Sequence, residues 1–322
     1  MALIGKDLDH AAVLLKEGKL VAIPTETVYG LAGNALNEDA VLSIFEVKER
    51  PQFNPIIVHA RDLEQIQDFV EDIPAPARRL AETLWPGPLT ILLPRQTDII
   101  PDIVTAGSQM VAVRIPQHPM TLELLNKLEF PLAAPSANPF GYISPTTPQH
   151  VAHQLGDKIS YILDGGPTKI GVESTIVTFE GDQVVVLRLG GVSIETLEMF
   201  MGKVEIRLSA RDDQPQASGM LRSHYAPATP FMQGDVQQNL SAVDPELCGI
   251  ISYKSFYPEV PESQQRVLSP QGDLHEAAGR LFAAMRELDQ MGLRLIVAEI
   301  FPEVGLGKAI NDRLSRASQP QS

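Results

Sequence analysis

Two cations, two prolines and an amide share the eight residues KERPQFNP, 48–55. Lys48 and Arg50 stand two apart. Pro51 and Pro55 stiffen the backbone around Asn54, so the polar groups are presented with little conformational freedom left to lose. That is a way to face phosphate. Other polar residues of the same kind also stand beside apolar runs. PTETVYGLAGNA (24–35) carries Thr25, Glu26, Thr27 and Tyr29, and PIIVHA ends near His59. VAVRIP sets Arg114 inside an apolar run, and VLRLGG does the same with Arg188. APSAN (134–138) offers Ser136 and Asn138, and GVESTIV offers Glu173, Ser174 and Thr175. An arginine grips a carboxylate with two parallel bonds, which lysine does not reproduce. The hydroxyls of Thr27 and Ser174 suit a small polar ligand. His59, with an unperturbed pKa of ~6.5, could orient a substrate or accept a proton.

Singly, each residue has a plainer role. A loop Ser or Thr caps a turn. Lys48 and Arg50 suit the C-terminal end of a helix. An arginine in a strand lies on a solvated face or pairs with a carboxylate, although the apolar flanks of Arg114 point to a buried, paired role. Their joint occurrence in one part of the chain makes the functional case. Covalent and metal machinery is not written here: G-x-x-x-x-G-K-[ST], H-E-x-x-H, C-x-x-C and G-x-S-x-G do not occur. GLGKAI (305–310) has Ile310 where a dinucleotide fingerprint needs a third glycine, and reads as a strand-to-helix turn. His150 and His153 read as a solvated helix face, since no carboxylate or cysteine cluster accompanies them.

The elements that must hold these residues follow from periodicity. LDHAAVLLKE is a helix stopped by Gly18, and KLVAIP is a strand. EDAVLSIFEVK is the helix that delivers Lys48. PIIVHA, LTILLP, MVAVRIP and FPLAAPSAN read as strands, with helices APARRLAETL and MTLELLNKL among them. TTPQHVAHQLG enters a helix with proline in its first turn. SYILDGG, STIVTFE and QVVVLRLGG are strands, and SIETLEMFM closes the series as a helix. Many strands with fewer helices fit a mixed-sheet α/β domain over 1–206. Residues 207–230, rich in Ser, Pro, Asp and Gln, read as a linker. In 231–322, LCGIISY, DLHEAAGRLFAAMRELDQMG, LRLIVAEIF and GKAINDRLSRAS alternate strand and helix, the grammar of a small parallel α/β domain.

The chain has 322 residues and a net charge of −14, with 44% hydrophobic residues. That is material for about two domains. Proteins that hold nucleic acid mainly through phosphates carry a basic face, so broad nucleic-acid binding is disfavoured. Cys248, the single cysteine, excludes an intrachain disulfide and a cysteine-built zinc site. No apolar run approaches a membrane span, and the N-terminal residues lack the pattern of a signal peptide. The cytoplasm is the expected compartment.

PTETVYGL, Lys-x-Arg-Pro-x-x-Asn-Pro, WPGPLT, VAVRIP, APSAN, ESTIV and LRLGG resemble, in this order, the YrdC-like domain of threonylcarbamoyl-AMP synthases. SHYAP and GLGKAINDRL resemble the long form of that family, so the resemblance covers nearly the whole chain. It implies a twisted mixed sheet with a basic concave cavity, followed by a small Rossmann-like domain. It implies condensation of L-threonine, bicarbonate or CO₂, and ATP into L-threonylcarbamoyladenylate and pyrophosphate, with Mg²⁺ accompanying the ATP. A separate transferase complex then acts on adenosine 37 of tRNA, and weak contact with tRNA itself is compatible with this. Carried over by position, Thr27, His59, Arg114, Ala134 (through its backbone) and Ser174 form the threonine site. Arg50, Asn54, Met110 (through its backbone), Ser136, Ser144 and Arg188 form the ATP site, with Tyr225 as a lid. Lys48 faces phosphate and carbonate, and Lys48 and Arg50 serve as the catalytic cations. Glu49 departs from the family, where a small residue such as glycine is common, and is expected to point outward. Two other readings compete: an RNA-binding or ribosome-maturation module, and carbamoyl transfer of the hydrogenase-maturation type. Net charge opposes the first. The second lacks the zinc-finger-like and acylphosphatase-like regions expected of it.

Overall fold

The computed structural model describes residues 1–208, 218–220, 224–240 and 243–319. Residues 209–217 and 221–223 of the expected linker therefore lie outside the described residues. The chain forms two units. The first holds Met1–Phe140, Pro145–Lys169 and the described part of Glu173–Leu221; the second holds Gly141–Ser144, Ile170–Val172 and the described residues from 224 onward.

Eleven strands among the described residues build the first unit's sheet: β1 (Leu3–Gly5), β2 (Val21–Ile23), β3 (Gly30–Asn34), β4 (Val58–His59), β5 (Leu89–Pro94), β6 (Met110–Arg114), β7 (Leu132–Ala133), β8 (Tyr161–Leu163), β9 (Thr175–Glu180), β10 (Gln183–Arg188) and β11 (Glu205–Ile206). Their order is β1-β8-β2-β3-β7-β4-β6-β5-β9-β10-β11. The sheet is mixed: β4 runs parallel to β6 and β5 to β9, whereas β5 and β6, and β9 and β10, are antiparallel. One core forms where the helix Leu8–Lys16 lays Ala11, Ala12, Leu14 and Leu15 against Val21, Ile23 and Leu163. Asp7 caps that helix by accepting from the amides of Asp9 and His10.

The helix Glu38–Lys48 is capped by Asn37 and ends at Glu49, whose φ of 54° lies in the left-handed region. This turn sets the direction of the Lys48–Pro55 loop. Glycine adopts that conformation without strain, so the position suits a small residue. The Glu49 side chain is exposed and lies 2.7 Å from Lys158, pointing outward as expected.

The second unit carries β12 (Phe231–Gln233), β13 (Cys248–Ser252), β14 (Gln265–Val267) and β15 (Leu295–Ala298), all parallel, in the order β12-β15-β13-β14. The helices Leu274–Asp289 and Gly307–Ala317 accompany them. This is the small parallel α/β unit that the sequence rhythm implies. Among the described residues, no helix is long and apolar enough to cross a membrane.

Candidate active site

One face of the first sheet gathers His59, Arg114 and Arg188. His59 on β4 sits directly beside Arg114 on β6 in the parallel ladder. Ile91 pairs with Val113, so continuing this antiparallel register puts Thr90 beside Arg114. Thr90 pairs with Ile176 on β9, and Ile176 pairs with Arg188 on β10. The ladder shifts register between Val186 and Arg188, a β-bulge. Strict alternation would turn Arg188 to the face of Val186; the extra residue turns it to the face of Ile176. Beside this polar row lies an apolar patch of Ile57, Leu92, Ala112, Ile176, Val185 and Leu187, closed by Met220.

At one end of the row, Arg114 donates from Nη1 to Thr27 Oγ1 (3.0 Å) and from Nε to the Gly87 carbonyl (3.2 Å). A side chain at Gly87 would meet the Leu84 carbonyl at 2.2 Å, so the WPGP turn needs glycine to bring that acceptor in. Thr27 is held by Thr25, whose Oγ1 is 2.8 Å away and donates to the Val28 carbonyl. Glu26 Oε1 lies 2.7 Å from Arg114 Nη2, both side chains being buried. That contact is an ion pair without hydrogen-bond alignment, and neither atom has a hydrogen-bond partner among the described residues. Glu26 Oε2 accepts from the Gln117 amide at 3.0 Å. Burial, then the nearby Arg114 charge, draw the His59 imidazole down to about 3, against backbone hydrogen bonds at Ile57 and Leu132. His59 is therefore neutral and weakly basic here, which favours the orienting role over the proton-accepting one.

At the other end, Arg188 donates to the Ser174 carbonyl from Nε (3.0 Å) and Nη2 (2.9 Å), and to Ser174 Oγ from Nη2 (3.0 Å). Its Nη1 donates to the Ser218 carbonyl at 3.0 Å. Ser174 Oγ also lies 2.8 Å from Thr90 Oγ1. Gly190 makes this approach possible, because a Cβ there would sit 2.4 Å from the Ser174 carbonyl carbon.

The third group is the opening loop. Arg50 donates to the carbonyls of Asn54 (3.2 Å) and Pro55 (2.8 Å) and lies over the Phe140 ring at 5.9 Å. Asn54 is fully buried, and neither of its amide atoms has a hydrogen-bond partner among the described residues. Lys48, expected to face phosphate, donates instead to the carbonyls of Ser136 and Asn138. Burial, then Arg50, holds its ammonium well below the usual lysine range. Ser136 is bridged to Gly30, and the Ala134 amide donates to the Ile57 carbonyl. This segment connects the loop to the His59–Arg114 pair. The amides of Ala134 and Met110 are both engaged, the latter with Ser108 Oγ at 3.0 Å, so a main-chain role for either falls to its carbonyl.

Ser144 and Tyr225 belong to the second unit. Ser144 is fully buried there, and Tyr225, at φ 65°, stacks on Phe282 beneath the Arg313 guanidinium. A cavity of about 290 Å³ is lined by Thr25, Glu26, Gln117, His118, Gly165 and Thr168 among others. It shares Glu26 with the Arg114 cluster but does not contain the row itself. WPGPLT and PTETVYGL hold Thr90 and Glu26, but the motifs alone give neither a role; their contacts with Ser174 and Arg114 emerge only in the folded chain.

Known proteins carry the same pattern. A family model described as "Telomere recombination", of the Sua5–YciO–YrdC type, matches residues 13–190. A second, "Threonylcarbamoyl-AMP synthase, C-terminal domain", matches residues 192–319. The chain is 39% identical over 318 residues to the threonylcarbamoyl-AMP synthase of Bacillus subtilis (strain 168), covering 96% of this chain and 92% of that protein. It is 40% identical over 322 residues to the protein of the same name from Pyrococcus abyssi, covering 96% and 93%. The crystal structure of P. abyssi Sua5 complexed with L-threonine superposes with a TM-score of 0.91 at 38% identity, covering 99% of this chain and 97% of that one.

Proposed function

The chain belongs to the threonylcarbamoyl-AMP synthase family, in its two-domain form, and from that premise we propose that it condenses L-threonine, bicarbonate or CO₂, and ATP into L-threonylcarbamoyladenylate and pyrophosphate. The observation that best supports this reading is a set of buried polar atoms without hydrogen-bond partners among the described residues: His59 Nδ1 and both amide atoms of Asn54. Buried polar atoms left so cost about 1–3 kcal/mol each, and such costs are borne where a ligand completes the bonding.

In this reading, Arg114 grips the amino-acid carboxylate. Thr27, His59, Ser174 and the Ala134 carbonyl take the remaining polar groups. Arg50, Asn54, Ser136, Arg188 and the Met110 carbonyl hold the nucleotide. The threonine ammonium first gives up a proton to water; the freed nitrogen then bonds to the carbon of CO₂ and loses a second proton, giving a carbamate. A carbamate oxygen then bonds to the α-phosphorus as the bond to pyrophosphate breaks. No residue needs to become covalently attached; holding the partners together and offsetting charge are the main demands. Lys48 and Arg50 serve the second demand, Lys48 also by fixing the Ser136 segment. Among the described residues no cluster of three or more His, Cys, Asp or Glu side chains could hold a metal ion, so Mg²⁺ accompanying ATP would be held by phosphate and water oxygens and would supply charge neutralisation there. The product passes to the complex that modifies adenosine 37 of tRNA.

The test is pyrophosphate release from ATP and Mg²⁺ with bicarbonate, comparing L-threonine, L-serine and no amino acid. Release that requires both threonine and bicarbonate is expected. Release without threonine, or none from folded protein, would overturn the reading.

A further inference from the structure

We propose that Glu26 is a specificity residue: by neutralising Arg114, it keeps multiply charged phosphates off the fork that takes the amino-acid carboxylate. The inference rests on the reading above and goes beyond it, because the reaction described there uses no group at position 26.

The argument is electrostatic. The reaction needs two anion-binding regions within one sheet face. One takes a single carboxylate on a molecule whose ammonium makes it neutral overall. The other takes a polyphosphate carrying several negative charges. A buried guanidinium with no counter-charge prefers the polyphosphate, since Coulomb attraction grows with ligand charge. Arg114 is not in that condition. Glu26 Oε1 sits 2.7 Å from its Nη2, and both side chains are at most 4% exposed. His59, its neighbour on β4, is held neutral by burial. The local sum is therefore zero.

The geometry supports the same conclusion. The pair lacks hydrogen-bond alignment, so among the described residues neither Nη2 nor Oε1 spends a hydrogen bond, and a donor and an acceptor stand side by side. Those are the complements of a carboxylate and an ammonium on one α-carbon. A pyrophosphate offers the first and not the second, and would bring its further charges against the Glu26 carboxylate. Rejection of a wrong ligand by a fixed like charge is a common source of specificity. Glu26 itself is fixed, because its Oε2 accepts from the Gln117 amide at 3.0 Å.

The test is calorimetric titration of L-threonine into wild-type protein and Glu26→Gln, with and without a fixed concentration of inorganic pyrophosphate. Glutamine keeps an oxygen for the Gln117 amide and removes the charge. In wild type, pyrophosphate leaves threonine affinity unchanged within about twofold. In Glu26→Gln, pyrophosphate weakens threonine binding by about tenfold or more, the effect of removing one nearby charge. Direct titration of pyrophosphate shows tighter binding to Glu26→Gln than to wild type, and the double variant Glu26→Gln/Arg114→Gln loses that gain. Glu26→Asp, which withdraws the charge by one methylene, gives an intermediate effect and serves if the glutamine variant does not fold. Absence of competition in both single variants would overturn the proposal and leave Glu26 as a support for Arg114. Failure of wild type to bind threonine at all would instead overturn the synthase reading.

Discussion

Replacing Arg114 by lysine keeps the charge and removes the fork. The guanidinium donates to the Gly87 carbonyl at 3.2 Å and to Thr27 Oγ1 at 3.0 Å, with Glu26 Oε1 2.7 Å from Nη2. A lysine ammonium retains the ion pair with Glu26 and strands the Gly87 carbonyl. Thr27 loses less, because Thr25 Oγ1 remains 2.8 Å away. A stranded buried acceptor costs about 1–3 kcal/mol, and one further bond about 1 kcal/mol. The sum is about 2–4 kcal/mol, which lowers Tm by roughly 5–15 °C in a unit of this size. The lost bidentate grip on a carboxylate is worth about 1.5–3 kcal/mol, or roughly a tenfold to hundredfold weaker threonine affinity. Thermal unfolding by circular dichroism reads the first quantity, and calorimetric titration with L-threonine the second. Full threonine affinity in a folded variant would remove Arg114 from the carboxylate site. An unchanged Tm would show that the Gly87 and Thr27 contacts contribute nothing to stability.

Three other outcomes are expected. Arg50→Ala abolishes threonylcarbamoyl-AMP formation and keeps the fold, with a small drop in Tm from the two loop carbonyls it leaves; wild-type turnover would take Arg50 out of the site. Glu49→Gly raises stability by about 0.5–1 kcal/mol, because glycine relieves the left-handed backbone and the exposed Lys158 pair is worth little; a lower urea midpoint would contradict this. His59 has its folded pKa depressed to about 3, so the unfolded chain binds its proton first and His59's contribution is present above pH ~6.5 and is lost as pH falls toward 3. His59→Asn therefore flattens the acid side of the stability–pH curve between those limits, by up to about 1.4 kcal/mol per pH unit; equal slopes in the two proteins would place the loss elsewhere.

The long apolar runs were legible because their pattern is local. LTILLP, MVAVRIP, STIVTFE and QVVVLR became β5, β6, β9 and β10, and these carry or flank Arg114, Thr90, Ser174 and Arg188. Elements defined by their neighbours were not legible. GLAGN reads as loop, with no β-branched residue, and becomes β3 because β2 and β7 pair with its two edges. The three-residue strands β1, β12 and β14 are too short to show a period. The face of Arg188 was hidden for a different reason: alternation is the only guide in a strand, and the bulge breaks it. The partners of Lys48 were hidden too, since they are main-chain carbonyls 88 and 90 residues away. What motif resemblance supplied was a set of candidate residues; what it lacked was the groups that hold them, Glu26 beside Arg114 and Thr90 beside Ser174.

Arg188 grasps Ser174 by its carbonyl and its hydroxyl together. In the proposed assignment, one of these residues meets the nucleotide and the other the amino acid. Two ligands that draw on opposite ends of so tight a linkage are not thermodynamically independent. Whatever factor the nucleotide imposes on threonine affinity, threonine imposes on the nucleotide in equal measure. Order of addition would then be a matter of rates, while the occupancy of the ternary complex is the same by either path.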